Sequence, residues 1–581
     1  MTSPSPSCEM QTPHAPHNNE EARQVVHRQA ELRRLYATTA LGQIPRLLGA
    51  IDRHPFHQTY GCLDRQFWHY RTIDFASEMY QEGVLPLALV AQHDFPGSRW
   101  QGQERLRELV IAGLKFTAKN AHRDGSCDDY YPFERALGSA VFSLAACTEA
   151  YRILDLHEPD VLAFFERRAK WLLLNDEAGR LANHHALAAL GLRRTAELTG
   201  GERFARGACH KVQQVLDWQH AEGWFEEYGG ADPGYQTVTI DCLAKYRRLT
   251  SSAWLDTPLH RAVSFASHFM HPDDSYGGEY GSRGTYHFYP HGMELLAPTN
   301  STAAALAEGF LRSLSSGTHA WFDDDRLFSH RLGNLLEAYL DWQPSSAASD
   351  NSEPETSSSV RLSSPSNSTF LPAAGLWIVD EGPRKTVVSA ARGGVFKQVD
   401  ERGTHTDAGW VLETDQGRVA VSHWHDTTRN IEFTQQTDRA SLTVAGPLCW
   451  SRHETATPTK QLVFRLGLLL VGRFCRTLIR RLLQRRLITG RRSAPIRFQR
   501  RFEWTPATAP GEVGQWKVID ELELLDPRLT VRRLCWGVDH ESAYVAASRV
   551  YQASVLQPWT DHAEQLESLN HTRRLRLVRS L

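Results

Sequence analysis

The chain has 581 residues, of which 41% are hydrophobic, and its formal net charge is −2. This length exceeds the roughly 250–300 residues at which a single core stops growing, so it predicts two or more domains. The near-neutral charge does not indicate a class of binding partner. Because the sequence also contains no recognised nucleic-acid-binding motif, it argues against a nucleic-acid-binding protein.

The N-terminal residues 1–20 are polar and rich in proline and serine, which predicts disorder. They have neither the basic start nor the apolar core of a secretory signal, and the sequence contains no uncharged apolar run of about 18 residues. The nine cysteines are dispersed without a Cys-x-x-Cys pair, which favours reduced thiols. We therefore expect a cytoplasmic protein, or a peripheral one at the inner membrane if the basic segment described below binds lipid.

The region from residue 21 to residue 343 is a succession of amphipathic helical patterns. Apolar residues recur at i, i+3 and i+4 spacing, with Gly, Asp and Pro breaks at intervals of roughly 20 residues. The clearest helical segments are 103–120, 136–154, 159–174, 181–199, 202–220 and 234–249. Successive helical hairpins of this kind predict a helical toroid or solenoid.

Three of the breaks, at 124–134, 222–230 and 274–283, resemble one another. Each has an acidic residue, a glycine or serine, an aromatic residue and a glutamate before another helix, so we expect the loops to share one rim. Such a rim suits sugar stacking and hydroxyl recognition, although loops of this composition also form good turns without any ligand. The candidate substrate-binding residues are Tyr130, Glu134, Trp224, Glu227, Tyr228, Tyr280, Arg283, His287 and His291.

Residues 344–368 are a low-complexity Ser/Pro/Asn/Glu stretch that predicts a flexible linker. Beyond it the hydrophobic period changes to two, and short strands are indicated at 386–391, 409–413, 418–423, 441–445 and 516–522. Many short strands with turn signals are typical of a sandwich. The segment 369–581 is therefore predicted to be an antiparallel β-sandwich domain.

One stretch of this domain, 461–490, reads instead as a basic amphipathic helical insertion. No acidic residue occurs from Lys460 to Arg501. Four arginines, Arg465, Arg473, Arg476 and Arg480, fall on one side of a helical wheel opposite leucines. Two interpretations stay open: a helix lying on an anionic membrane surface, or a helix packed on the sandwich with its arginines in water.

The sharpest local signal is Asn183 followed by His184 at the start of a helix, although an asparagine there is commonly an N-cap. About fifty residues later Tyr235 follows a Gly-rich, acidic turn, and Arg392 and Asp407 occur further on in short segments between strands. This order resembles the heparinase II/III-like and oligoalginate lyase-like polysaccharide lyases over roughly residues 100–430.

The resemblance implies an α/α toroid, an incomplete helical barrel, followed by a β-sandwich that together cleave uronic-acid polysaccharide or oligosaccharide by β-elimination. It implies that Asn183 and His184 neutralise the substrate carboxylate. Tyr235 would be the acid and, if ionised, the base. Arg283 is a candidate for binding a carboxylate through both guanidinium nitrogens.

The sequence departs from the family at its His-x-His-x-Asp segment. Alignment on Asp407 places Gly403 where the family has its catalytic histidine and His405 where it has a zinc ligand. A slip of one step would make His405 the base. The residues His423, Trp424, His425 and Asp426 follow nearby and could rebuild a zinc site, so zinc, held by His405 and His423, is the one cofactor that we consider.

Two other functions stay open. A glycoside hydrolase would use two of the carboxylates among Asp124, Glu134, Glu226, Glu227, Asp232 and Glu279. A non-catalytic glycan-binding protein of exopolysaccharide biosynthesis, held at the membrane by 461–490, would explain the missing catalytic histidine. The sequence contains no nucleophile elbow, P-loop or dinucleotide fingerprint.

Overall fold

The structure is a computed structural model that describes residues 17–177, 179–321, 326–343, 367–451, 455–472, 475, 479, 482, 491–509, 512–539 and 551–581. Most of the predicted disordered segment and of the predicted linker lies outside these described residues, and so do Arg473, Arg476 and Arg480. The first helix already begins at His17, within the segment 1–20 that was predicted to be disordered.

The first part of the chain is helical. Its α-helices are α1 (His17–Leu41), α2 (Ile44–Ala50), α3 (Arg65–Trp68), α4 (Val84–Gln92), α5 (Glu104–Asn120), α6 (Leu137–Ile153), α7 (Pro159–Leu174), α8 (Ala182–Thr199), α9 (Glu202–Asp217), α10 (Pro233–Thr250), α11 (Asp256–Ser267), α12 (Pro290–Leu296), α13 (Ser301–Ser316) and α14 (Phe328–Asp341). The six helical segments named from the sequence correspond to α5 to α10.

Six of these helices form an inner ring. Each of α4, α6, α8, α10, α12 and α14 packs on the next, and α14 packs on α4, so the ring closes. The helices α5, α7, α9, α11, α13 and α1 lie outside it. The predicted toroid is confirmed.

The inner helices run in one direction because an outer helix returns the chain between each pair. Their N-termini, with the loops before them, therefore lie at one end of the ring. The start of α10 shows how the sequence sets this end, because Asp232 caps the helix by accepting from the Tyr235 N–H and Pro233 fills the first turn. The adjacent loops pair, since the Ser282 N–H donates to the Ala231 carbonyl at 2.8 Å.

The second part of the chain is the predicted antiparallel sandwich, with one five-stranded sheet in the order β1 to β5 and one nine-stranded sheet. The larger sheet has the order β13-β12-β6-β7-β9-β10-β11-β14, with β8 on β9. The strands are β1 (Asn367–Leu371), β2 (Leu376–Asp380), β3 (Lys385–Ser389), β4 (Val395–Asp400), β5 (Gly403–Asp407), β6 (Trp410–Thr414), β7 (Val419–Val421), β8 (Asn430–Gln435), β9 (Ala440–Trp450), β10 (Ser493–Thr505), β11 (Gln515–Leu524), β12 (Val531–Trp536), β13 (Thr560–Asp561) and β14 (Arg574–Ser580).

The sandwich core is built on three tryptophans, Trp377, Trp410 and Trp516, which are all fully buried. Strand β10 alternates buried and exposed residues along its whole length, as expected where one face of a sheet covers a core. One of its buried positions is Arg500, whose guanidinium donates to Asp407 and Asp520.

Between β9 and β10 the chain forms helix α15 (Pro458–Gly467) and one π-helical turn, Leu468–Gly472. This segment packs on the toroid, with Phe464 edge-on to Tyr131 and Arg465 paired with Asp74 at 2.7 Å. The helix therefore packs on the toroid and not on the sandwich, and the Arg465–Asp74 pair lies at the exposed surface. No helix among the described residues is both long and apolar enough to cross a bilayer.

Candidate active site

The sandwich is attached to the rim formed by the N-termini of the inner helices. Glu222 of the toroid accepts the N–H groups of Ala373 and Ala374 at 2.9 and 3.0 Å. Lys385 of β3 donates to the Met270 carbonyl at 2.8 Å. We call this contact between the rim loops and the sandwich the junction.

The sandwich places a histidine at the junction. His425 lies in the loop after β7 and faces Gly230, where an added Cβ would stand 2.5 Å from the histidine Nε2. Burial, together with the positive charges of Arg392 and Arg283, lowers the pKa of His425 to about 3. The imidazole is therefore neutral at pH 7 and can accept a proton.

Three arginines surround this histidine. Arg283, Arg392 and Arg429, here called the junction arginines, are each less than 10% exposed. Within the part of the chain that the structure describes, their guanidinium groups form no salt bridge and bind backbone carbonyls, among them those of Tyr228 at 3.0 Å and Ser282 at 2.9 Å. The Nε atoms of all three have no hydrogen-bond partner.

Burial is the main electrostatic influence on these arginines. It lowers the pKa of Arg392 to about 9 and that of Arg429 to about 10, and it also lowers the pKa of Arg283. All three still carry a positive charge at pH 7. Buried charge without a counter-ion is costly, so this arrangement is well suited to an anion that enters from outside.

Two tyrosines stand at the rim beside the arginines. Tyr228 adopts φ +53°, a left-handed conformation that is strained for a bulky residue, and the Arg283 guanidinium stacks on its ring at 4.3 Å. Tyr235 is in the first turn of α10. Burial raises the pKa of Tyr235 well above its ordinary value, and the neighbouring Tyr228 and Glu227 raise it further. Tyr235 is therefore a neutral phenol, which fits the predicted acid and not the predicted base.

Asn183 lies in the first turn of α8, whose N-cap is Leu181, so the N-cap interpretation is wrong. Its backbone N–H and its Nδ2 both donate to Glu227 Oε1, at 2.8 and 2.6 Å. The Asn183 side chain is buried, and its Nδ2 is engaged with Glu227, which it orients. The predicted contact of its amide with a substrate carboxylate stays a prediction.

Glu227 is the group that this contact holds in place. Burial raises the pKa of Glu227 to about 8, so the carboxyl group is largely protonated at pH 7. Its Oε2 is buried and has no hydrogen-bond partner. A neutral carboxylic acid at this position is a hydrogen-bond donor, which an ionised glutamate is not.

Three other predicted rim residues have different surroundings. His184 bonds to Glu177 through Nδ1 at 3.1 Å and stays a candidate beside Asn183. Tyr130 is 45% exposed, lies under the Arg326 guanidinium at 4.0 Å and is open to a sugar ring. Glu134 accepts the Tyr130 N–H at 2.7 Å, so it holds this loop in place.

Two of the predicted substrate-binding aromatics are packing residues. Tyr280 is buried, with its hydroxyl at 3.2 Å from His271 Nε2 and its ring stacked on Phe269. Trp224 is also buried and donates from Nε1 to Glu222 at 3.0 Å. Neither ring can stack on a ligand, because each is already covered by the protein.

The two predicted histidines of the last rim loop are structural as well. His287 is buried with its Nε2 at 3.3 Å from Arg331. His291 is fully buried, and its Nε2 lies 2.8 Å from Asp341. Both histidines therefore stabilise the toroid and do not line a sugar subsite.

His405 does not lie at the junction. It is exposed on β5, its ring packs at 5.5 Å from Phe396, and the charged groups that act on its pKa are Asp407 and Arg579 of the sandwich. The structure therefore does not bring His405 together with the rim residues, and its predicted role as the base stays a prediction. His425, twenty residues further along the chain, is the sandwich histidine that reaches the toroid.

The predicted zinc site does not fit the residues present. Asp407 already accepts from Arg500 at 3.0 Å and from Arg579. His423 is buried with its Nδ1 at 2.8 Å from the Ala408 carbonyl. Among the described residues no three His, Cys, Asp or Glu side chains are arranged to hold a metal ion. We derive no chemistry from zinc.

The carboxylates of the hydrolase alternative are all engaged within the protein. Each has a hydrogen-bond or ion-pair partner: Asp124 with Arg135, Glu134 with the Tyr130 N–H, Glu226 with Arg180, Glu227 with Asn183, Asp232 with the Arg283 N–H and Glu279 with Tyr286. A hydrolase needs two carboxyl groups that face its substrate.

Two cavities of about 490 and 550 Å³ lie elsewhere, one beside α5 and one between α15 and the rim loop that contains Phe133. Neither is lined by His425 or Tyr235. The junction is thus identified by its chemistry and not by the size of a cavity.

Comparison with known proteins gives similarities of fold alone. No family model and no curated protein matches the chain. Among solved structures, a variant of the Streptomyces coelicolor A3 chondroitin AC lyase is 13% identical with a TM-score of 0.45, over 91% of this chain and 69% of that one. Paenibacillus xanthan lyase is 10% identical with a TM-score of 0.46, over 97% and 59%. Heparinase III is 10% identical with a TM-score of 0.43, over 77% and 65%.

The predicted toroid and sandwich are confirmed by the element order and the sheet order of this chain itself. At these identities the similarity does not extend to activity or substrate.

Proposed function

We propose that the junction binds a uronic-acid-containing polysaccharide or oligosaccharide and cleaves it by β-elimination. The observation that carries this proposal is the set of junction arginines, which have no carboxylate partner and lie beside a neutral His425. An acidic sugar would supply the missing anion. The positive ends of helices α8 and α10 point to the same rim and favour negative charge there.

The chemistry requires that the substrate carboxylate be neutralised, because the C5 proton beside an anionic carboxylate is barely acidic. Arg283 has an unpartnered Nε, and Glu227 is a protonated carboxyl group with an unpartnered oxygen. Both can donate hydrogen bonds to the carboxylate as negative charge moves onto it in the transition state. Asn183 acts through Glu227 as a positioning residue.

The elimination then needs one base and one acid. The His425 imidazole takes the C5 proton, the electrons of that bond form the C4=C5 double bond, and the C4–O bond breaks. The Tyr235 hydroxyl gives its proton to the leaving oxygen, which remains on C1 of the neighbouring sugar. General acid and base groups of this kind each contribute roughly 10²–10⁴-fold to a rate.

The substrate itself would tune the base. In the free protein the arginines and burial hold the pKa of His425 at about 3, which makes it a weak base. A carboxylate bound among the arginines cancels part of their positive field and raises this pKa. His425 would therefore gain basicity when an acidic sugar is bound, while a neutral sugar would leave it weak.

The test is the near-ultraviolet absorbance of an unsaturated uronate during incubation with alginate, heparan sulfate, hyaluronan and bacterial exopolysaccharides. A rise with one of them is expected for the wild type, with loss of activity in His425→Ala and in Tyr235→Phe. The matched control is His405→Ala, which removes a sandwich histidine away from the junction and should retain activity.

Other outcomes would select the alternatives. New reducing ends without the absorbance rise would indicate hydrolysis. Binding of an acidic glycan without either signal would indicate a non-catalytic glycan-binding protein. Full elimination activity in His425→Ala would remove this residue from the mechanism.

A further inference from the structure

An exposed apolar face lies on the segment that links β9 to β10. Six aliphatic side chains of this segment are between 47% and 75% exposed: Leu462, Val463, Leu466, Leu469, Leu470 and Val471. Single exposed leucines are ordinary on a protein surface. Six within ten residues form a contiguous patch, which marks an interaction site.

The patch is one side of an amphipathic helix whose other side is already used. Its first five members span roughly 120° of a helical wheel at about 100° per residue. The opposite side holds the residues that contact the toroid, namely Phe464 against Tyr131, Arg465 against Asp74, and the buried Leu468. The protein therefore fixes the helix with its apolar side outward.

The composition of the sequence from Lys460 to Arg492 identifies the occupant. Between 460 and 492 the sequence has ten lysine or arginine residues and no acidic residue. We propose that the segment 458–472 docks the protein on an anionic lipid bilayer, with the exposed leucines and valines inserted among the acyl chains. Basic residues beside an interfacial apolar face are attracted to anionic headgroups.

A second copy of the chain fits the patch less well. Pairing two patches would bring two uniformly basic segments together, and like charges oppose such contact. An anionic bilayer supplies both the apolar phase and the opposite charge.

The position of the helix sets how the protein meets the membrane. Its contact residue Tyr131 directly follows the exposed Tyr130 of the rim. The bilayer would thus lie beside the rim loops. If the proposed glycan function is correct, the acidic polymer would be engaged where it lies close to the membrane surface.

The experiment measures co-sedimentation of the full chain with vesicles of phosphatidylcholine alone or with about one third phosphatidylglycerol. We expect binding to the anionic vesicles that weakens as salt increases. The variant Leu462→Ser, Leu466→Ser, Leu470→Ser should lower the partition coefficient at least about tenfold, because it removes much of the inserted apolar area.

The matched control carries the same number of changes at equally exposed leucines elsewhere, Leu174→Ser, Leu525→Ser, Leu556→Ser, and should bind vesicles like the wild type. Equal loss in both triple variants would overturn the proposal. So would a dimer in solution that only the first variant dissociates, with no vesicle binding. The binding assay contains no glycan, so its result is independent of whether the junction cleaves one.

Discussion

Two buried arginines show how differently the sandwich core and the junction treat charge. Arg500 in the core is fully buried and donates to Asp407 at 3.0 Å and to Asp520 at 2.5 Å. Arg392 at the junction is 2% exposed and, among the residues that the structure describes, donates only to the carbonyls of Gly281 and Ser282. Burial disfavours the charged form of both guanidinium groups. The two aspartates outweigh this effect at Arg500, whose pKa is raised, whereas the pKa of Arg392 is lowered.

The difference separates a structural charge from a functional one. A buried ion that has its counter-ions belongs to the fold, and removing one partner leaves the others uncompensated. A buried ion without a counter-ion costs stability and offers binding energy to an anion from outside. Each prediction below tests one side of this comparison.

The largest effect on stability is expected from Arg500→Met. This change leaves two aspartates buried without their cation, which should lower the free energy of unfolding by about 3–5 kcal/mol. Denaturant unfolding followed by tryptophan fluorescence measures it. The control Arg497→Met alters an exposed arginine of the same strand, 3.6 Å from Glu523, and should cost less than about 1 kcal/mol. Similar losses in both variants would contradict the comparison.

The junction should behave in the opposite way. Arg283→Met removes a guanidinium that has no carboxylate partner, so the free energy of unfolding should not fall as it does in Arg500→Met. Binding or turnover of the acidic glycan should fall roughly 10–100-fold, because a hydrogen bond to its carboxylate is lost. Isothermal calorimetry with the glycan, alongside the unfolding assay, reports both. A variant that loses stability while binding normally would assign Arg283 to the fold.

The junction histidine should make stability depend on pH. The pKa of His425 is about 3 when folded and near the ordinary 6.5 when unfolded, so the unfolded chain binds more protons between these values. Its contribution to stability is complete above pH 6.5 and is lost progressively as the pH falls toward 3. The melting temperature of His425→Gln should fall less over this range than that of the wild type. Parallel curves would show that the histidine is not held neutral.

The Glu227→Gln variant should change stability at alkaline pH only. The wild-type carboxyl loses its proton near pH 8 when folded but near 4.5 when unfolded, so its contribution to stability is lost as the pH rises from 4.5 to 8. Glutamine keeps the oxygen that Asn183 binds and has no proton to lose. The variant should therefore gain stability relative to the wild type at pH 8–9, and not at pH 4. A gain of equal size at both pH values would contradict a raised pKa.

Local sequence signals predicted the fold better than the site. Helix α10 was recognisable because Asp232 and Pro233 mark its start within the chain itself. Strand β10 was not identified, because Arg500 occupies a core position and interrupts the apolar alternation that a reader of the sequence looks for. Arg500 can be buried because it pairs with Asp407 and Asp520. These aspartates lie on other strands, β5 and β11, outside the segment that contains Arg500.

Local sequence patterns also explain which site residues could be predicted. Tyr235 and Arg283 were identified because each lies in or directly after a rim loop that has its own local pattern. His425 and Arg392 were each seen in the sequence, but their place opposite Arg283 follows from how the sandwich docks on the toroid. The only local signal for His425 is a His-Trp-His-Asp run directly after a strand. Nothing in its spacing indicates which loop it will face.

The closeness of Gly230 to His425 also has a consequence for how such a chain can change over time. A side chain at position 230 would start 2.5 Å from the imidazole and 2.9 Å from Ser282 Cβ. The two positions are therefore not free to vary independently, although they are almost two hundred residues apart and in different domains. In a chain that keeps this docking, a larger residue at 230 should be accompanied by a small one at 425, and the pair should co-vary.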